Sequence, residues 1–277
     1  MKVALVTRTK NRNHYIKFFI EYYLKLKCDS IFLIDMNEDN TLENICVNYN
    51  NVFIKKYIFD VQEDIQLQKI LFEIINEYDY DYIINVDDDE FIYLQDYDNI
   101  HDFINTYKEY GILYLIWKIY SDNNYIFNDE LPNSIDNVIE NFKEESLYKP
   151  INNDRINQYH EEFYWTKYIV KTSVIKEAEL NNYYFGTHHL EVPNHNVHEN
   201  KAKLFLDDYE KYHIKHYRTK NFEEYLKDKI LSNNMMYQTN ITFKEHNIID
   251  NYKIFNKMDD KKLEKINKCL EKYNVKL

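Results

Sequence analysis

Tyr82-Ile83-Ile84-Asn85-Val86-Asp87-Asp88-Asp89-Glu90-Phe91-Ile92 changes character twice within one short stretch. A β-branched, apolar run of strand length delivers the chain directly into four carboxylates, and apolar character resumes at once. Upstream, Val3–Val6, Ile31–Ile34 and Val52–Ile54 read as three further strands. Between them lie helical patterns. Ile16, Phe19, Tyr23 and Leu26 share one face of a helix over about residues 15–26. Leu67, Ile70, Leu71, Ile74 and Ile75 share a face of another over 64–78. Strands alternating with helices predict an α/β domain whose central sheet is mostly parallel, with right-handed crossovers and flanking helices.

In such sheets ligands bind beyond the carboxyl ends of the strands. Three polar clusters fall at that end. Thr7, Arg8, Lys10 and Asn11 follow the first strand, Asp35 ends the second, and Asp87 to Glu90 follow the fourth. Asp87 and Asp89, one residue apart, can both reach a single hard cation or the cation and its bound water. Mg²⁺ and Mn²⁺ prefer oxygen ligands and commonly share them between protein and phosphate. A solvated acidic turn is the bland reading of Asp-x-Asp, but a solvated turn has no need of a buried strand leading into it.

Composition narrows the classes. The 277 residues hold Gly only at 111 and 186, so no glycine-rich phosphate loop of the Rossmann or P-loop kind can be built. Abundant Asn is expected to take over turns and helix caps. The formal charge of −12 argues against a nucleic-acid binder. Cys28, Cys46 and Cys269 lack metal-site or disulfide spacing and suit reduced thiols in a cytoplasm. No run approaches the roughly 18 apolar residues of a membrane span. Gly111–Trp117 and Tyr168–Lys171 read as later strands, 121–162 as a loop-rich segment, and 222–237 and 261–273 as helices, the last a solvated amphipathic tail. No linker composition interrupts the chain, which predicts a single domain: a half over 1–110 ending in the acidic cluster, a half over 111–230, and a helical tail over 231–277.

Six histidines, at 188, 189, 195, 198, 213 and 216, crowd one stretch. Imidazole can complete a mixed oxygen and nitrogen shell around Mn²⁺. His216, in the segment His213-Ile214-Lys215-His216-Tyr217-Arg218, is the choice for a further ligand, with His213 its local rival.

Several segments together resemble the GT-A glycosyltransferases of family 2, and more closely the branch that includes family 92 and related bacterial polysaccharide enzymes. They are Lys10-Asn11-Arg12, Tyr15 to Leu24, Ile34 to Thr41, Asp87-Asp88-Asp89-Glu90-Phe91, and His216-Tyr217-Arg218-Thr219-Lys220 continuing to Lys229. The matches run in order from about residue 3 to 230. Arg12 stands where that group usually carries Glu, and the glycine segment that commonly follows the Trp117 position is absent.

The resemblance implies a GT-A fold and a nucleotide-sugar donor, UDP-linked, with Mn²⁺ or Mg²⁺ as cofactor. Thr7, Arg8 and Lys10 would border base and ribose, Asp35 would contact the base, and Asp88 would lie beside the nucleotide. Asp87 and Asp89 would form the metal-binding pair, Asp89 nearest metal and diphosphate. His216 would reach metal or diphosphate, with Arg218 and Lys220 as phosphate partners. The acceptor would be a hydroxyl of a glycan or lipid-linked carrier, placing the enzyme in the cytoplasm or at the inner membrane face. Related families invert the anomeric centre, which needs a general base; Glu161, Glu162 and Glu191 are candidates, Glu191 preferred. Two other classes use similar residues: a sugar-phosphate nucleotidyltransferase, and a non-catalytic acidic module binding Ca²⁺ or a partner protein.

Overall fold

The computed structural model describes residues 1–10, 13–37, 39–57, 63–134, 137–146, 148, 165–180, 201–228 and 248–275, without the side chains of 13, 14 and 63–68. Its elements run β1 (Val3–Thr9), α1 (Asn13–Lys25), β2 (Ser30–Asp35), α2 (Thr41–Cys46), β3 (Val52–Lys56), α3 (Glu63–Glu77), β4 (Tyr82–Asn85) and β5 (Glu90–Leu94). They continue with α4 (Ile100–Thr106), β6 (Ile112–Ile119), α5 (Val138–Asn141), β7 (Thr166–Lys171), α6 (Thr172–Leu180), β8 (Ala202–Leu204) and β9 (Tyr212–His216). Three helices follow: α7 (Phe222–Leu226), α8 (Ile248–Phe255) and α9 (Asp260–Lys272).

The sheet order is β3-β2-β1-β4-β7-β6-β9-β5, with β8 paired to β6. β3, β2, β1 and β4 are mutually parallel, and β7 enters antiparallel between β4 and β6. The expected α/β class, a mostly parallel sheet flanked by helices with further helices at the C-terminal end, is what the chain adopts. β2 is buried along its whole length and β1 at six of seven positions, as strands covered on both faces must be.

The helix faces read from the sequence are the faces that pack. α1 buries Ile16, Phe19 and Tyr23, and α3 buries Ile70, Leu71, Ile74 and Ile75. α3 joins Val6, Phe32, Ile34, Ile83, Tyr168 and Val170, and Val174, Ile175 and Ala178 of α6, in one core. Each fully buried aliphatic or aromatic side chain there contributes about 1.5–3 kcal/mol.

Register decides what reaches the rim. β1 pairs with β4 only from Val3↔Tyr82 to Val6↔Asn85, yet pairs with β2 as far as Thr9↔Asp35. Thr7, Arg8 and Thr9 therefore run past the end of β4, beside the point where Asp87 leaves the sheet.

The chain divides into two compact units, residues 1–117 with 150–215, and 118–149 with 216–277. The second has its own core of Ile126, Phe222, Tyr225, Leu226, Ile248, Tyr252, Ile266, Cys269 and Leu270. α9 turns Lys262, Ile266, Cys269 and Leu270 inward, so it docks on this core by a buried stripe rather than lying in solvent as a tail. Asparagine does the work that glycine leaves undone. Asn99, Asn137 and Asn221 accept the first-turn N–H groups of α4, α5 and α7 through their side chains. Asn123, Asn124 and Asn274 hold left-handed backbone, with φ of 50°, 65° and 55°.

Candidate active site

β4 hands over to a short turn, and the turn is tied at both ends. The Asp87 N–H donates to Glu90 Oε2 at 2.8 Å, and the Glu90 N–H donates back to the Asp87 carbonyl at 3.1 Å. β5 then begins under α1. The Tyr23 hydroxyl donates to the Glu90 carbonyl at 2.9 Å and accepts from the Ile92 N–H at 3.2 Å. Tyr22 donates to the Ile92 carbonyl at 2.6 Å. Phe91 packs among the rings of Phe18, Phe19, Tyr22 and Tyr23. The immediate return to apolar sequence after Glu90 is thus an anchor that holds the carboxylates at the sheet end.

The four carboxyl groups are not equivalent. Glu90 is wholly buried and Asp88 and Asp89 nearly so, whereas the Asp87 side chain is 33% exposed. Asp87 is flanked by two cations. Arg8 Nη2 lies 3.2 Å from Oδ1 and Lys167 Nζ 2.9 Å from Oδ2. Lys167, 1% exposed, also lies 3.6 Å from Glu90 Oε2. Burial pushes the Glu90 carboxyl well above the ordinary carboxylate range; the Lys167 ammonium opposes the rise and the Asp87 charge adds to it.

Asp35 closes the neighbouring part of the rim. It is fully buried; its Oδ1 accepts the Asn37 N–H at 2.9 Å and Nδ2 at 2.7 Å, and its Oδ2 lies 3.7 Å from Lys56 Nζ. The Met36 N–H donates to the Thr9 carbonyl at 3.0 Å. Thr7 is buried, and Lys10, at the end of β1, is half-buried.

Arg8, Asp87, Glu90 and Lys167 are therefore brought together within the first unit. Lys167 is the residue that sequence reasoning missed. The signal was there: β7 reads Thr-Lys-Tyr-Ile-Val-Lys, and a lysine inside a buried strand needs a carboxylate partner.

His213 belongs to the same unit. It is buried, with Nδ1 2.9 Å from the Tyr209 carbonyl and its ring 4.8 Å from that of Tyr93. His216, Arg218 and Lys220 belong to the second unit. His216 is buried and its carbonyl accepts the Tyr120 N–H at 3.0 Å. The Arg218 guanidinium sits 5.3 Å from the centre of the Phe255 ring. Lys220 adopts φ 47° and lies buried with Nζ 3.9 Å from Asp228 Oδ2. Glu161, Glu162, Glu191 and histidines 188, 189, 195 and 198 fall outside the described residues.

The three cysteines are unbridged and buried; burial pushes the Cys46 thiol up to about 11 and the Cys269 thiol to about 12, so both are protonated at neutral pH. Among the described residues no helix is long and apolar enough to cross a membrane.

The donor set at the turn is all oxygen, which suits a hard divalent cation. Among the described residues no three His, Cys, Asp or Glu side chains are grouped to hold a metal unaided.

No family model matches the chain, and no curated protein matches it in sequence. Solved structures do resemble it. One is S. aureus TarS 1–349 in complex with UDP-GlcNAc, at 15% identity and a TM-score of 0.46 over 99% of this chain and 73% of that one. A second S. aureus TarS structure gives 16% and 0.42 over 91% of this chain, which spans 43% of that one. Glucosyl-3-phosphoglycerate synthase from Mycobacterium tuberculosis, in complex with Mn²⁺, UDP and glucosyl-3-phosphoglycerate, gives 8% and 0.38 over 73% of this chain and 68% of that one.

Proposed function

We propose that this chain is a GT-A glycosyltransferase that moves a sugar from a nucleoside-diphosphate donor, UDP-linked, to a hydroxyl of a glycan or lipid-linked acceptor. The observation that carries the reading is the acidic turn at the carboxyl end of β4, anchored from beneath and flanked by Arg8. The sequence resemblance around residues 10–41, 87–91 and 216–229 supports it.

Asp87 and Asp89 would hold Mn²⁺ or Mg²⁺, which supplies positive charge where the departing diphosphate develops negative charge. Arg8 offers a forked guanidinium suited to phosphate oxygens. Thr7, Lys10, Asp35 and Asp88 line the nucleotide side of this reading. Glu191 is proposed as the base that takes the acceptor proton in a single inverting displacement. His216, Arg218 and Lys220 are the second unit's residues that the resemblance assigns to metal and diphosphate, and an alanine variant at each tests that assignment.

The deciding experiment offers a panel of nucleotide-sugars with Mn²⁺ and follows release of nucleoside diphosphate, with and without candidate glycan acceptors. One donor should be turned over, and Asp89→Ala should lower that turnover by at least about 100-fold. Pyrophosphate release from a nucleoside triphosphate and a sugar phosphate would instead identify a nucleotidyltransferase. If no nucleoside diphosphate or triphosphate shifts the melting temperature with Mn²⁺ present, the catalytic reading is wrong.

A further inference from the structure

Asp87 is proposed as a cation ligand, and that role rests on the function just given; yet each of its carboxylate oxygens already faces a protein cation. Arg8 Nη2 stands 3.2 Å from one and Lys167 Nζ 2.9 Å from the other. We propose that Arg8 and Lys167 are positioning residues that act as a resident counter-charge on Asp87, so that a divalent cation binds weakly by itself and tightly only together with a diphosphate.

The two cations differ in mounting. Lys167 is 1% exposed and is shared with Glu90 at 3.6 Å, which in turn accepts the Asp87 N–H at 2.8 Å. It comes from β7 next to Tyr168, whose β4 partner is Asn85, two residues before Asp87. Lys167 is thus built into the sheet and stays with the turn. Arg8 lies beyond the last pairing of β1 with β4, and its side chain is 16% exposed. Its fork can exchange a single contact with Asp87 for paired contacts to phosphate oxygens. A divalent cation arriving alone meets a carboxylate whose two oxygens already face Arg8 and the shared Lys167, and like charges at such short range repel. A diphosphate reverses this, because it draws Arg8 away and adds oxygen ligands of its own. Reciprocity follows: whatever the diphosphate does for the cation, the cation does for the diphosphate by the same factor.

The test measures Mn²⁺ binding directly, from the electron paramagnetic resonance signal of unbound Mn²⁺, with and without saturating UDP. Wild type, Arg8→Gln and Lys167→Gln are compared, with circular dichroism to confirm folding. For wild type, UDP should tighten Mn²⁺ binding by about tenfold or more, within the usual range of coupling between two sites. For Arg8→Gln, Mn²⁺ alone should bind several-fold tighter than to wild type, and the tightening by UDP should shrink. Lys167→Gln should also raise the affinity for Mn²⁺ alone. If it misfolds, Arg8→Gln alone decides.

A folded Arg8→Gln protein that binds Mn²⁺ alone no tighter than wild type, while wild type binds Mn²⁺ with UDP, overturns the counter-charge and leaves the glycosyltransferase reading standing. Wild type that takes up no Mn²⁺ even with UDP overturns that reading itself.

Discussion

Each compact unit buries a lysine against an aspartate, and the two pairs are built for different ends. In the second unit Lys262 Nζ lies 2.6 Å from Asp122 Oδ2, with 6% and 2% of the side chains exposed. Asp122 also accepts from the Tyr252 hydroxyl at 2.6 Å and the Asn124 N–H at 2.9 Å. Its own N–H donates to Asn256, whose Nδ2 reaches the Thr219 hydroxyl. That pair is closed on all sides. In the first unit Lys167 is just as deeply buried, but its partner Asp87 keeps a third of its surface in solvent. A sealed pair fixes α9 and α8 to the segment that follows β6; a pair open on one side can change partners. Burial of the lysine is common to both, and exposure of the carboxylate separates scaffold from candidate site.

The largest way to break the comparison is Lys262→Met. It strands a buried carboxylate, and should lower stability by about 3–5 kcal/mol in urea unfolding. Asp122→Asn added in that background should recover part of the loss, and a cost below about 1 kcal/mol would mean the pair is not structural. Lys167→Gln should cost less, about 1–3 kcal/mol, because Asp87 can turn to water. Its signature should be changed Mn²⁺ binding instead. Tyr23→Phe removes the hydroxyl that bridges Glu90 and Ile92, and should cost about 1–2 kcal/mol in the same unfolding assay.

The smallest effect is one of pH. Burial pushes the Glu223 carboxyl up, but the Lys272 ammonium, the Tyr273 hydroxyl and the Asn128 N–H together hold it below its ordinary value of 4.5. A carboxyl lowered in the folded state stabilises it at neutral pH, and that contribution is lost as pH falls below about 4.5. Urea midpoints measured from pH 6 to pH 3 should therefore fall less steeply for Glu223→Gln than for wild type.

The parallel half of the sheet was legible because β1, β2 and β4 are buried almost throughout and its helices carry whole apolar stripes. β1, α1, β2, α3 and β4 are the segments where periodicity and burial agree; β3, half-buried, was legible as a short apolar run. Short elements were not legible. α4 and β8 span seven and three residues, too few for a period to repeat. β9 reads Tyr-His-Ile-Lys-His and looked like part of a histidine cluster rather than a strand. At the site, Asp87 to Glu90 stood out because four acids in a row break an apolar run. Lys167 did not, since its partner lies 80 residues away and only the antiparallel entry of β7 joins them. The Lys- and Glu-rich sequence of α9 reads as a solvated amphipathic helix, and nothing in it says that Lys262 faces a carboxylate.

The scarcity of glycine has a consequence for the unfolded chain. Sharp reversals at Asn123, Asn124 and Asn274, and at Lys27 and Lys220, are made by residues that carry a Cβ. Each explores fewer backbone conformations than glycine before folding, so less disorder has to be surrendered on reaching the native turn. In left-handed backbone a Cβ also costs about 1–2 kcal/mol of native strain, so the narrower denatured ensemble offsets part of that cost, an effect that no contact in the folded structure records.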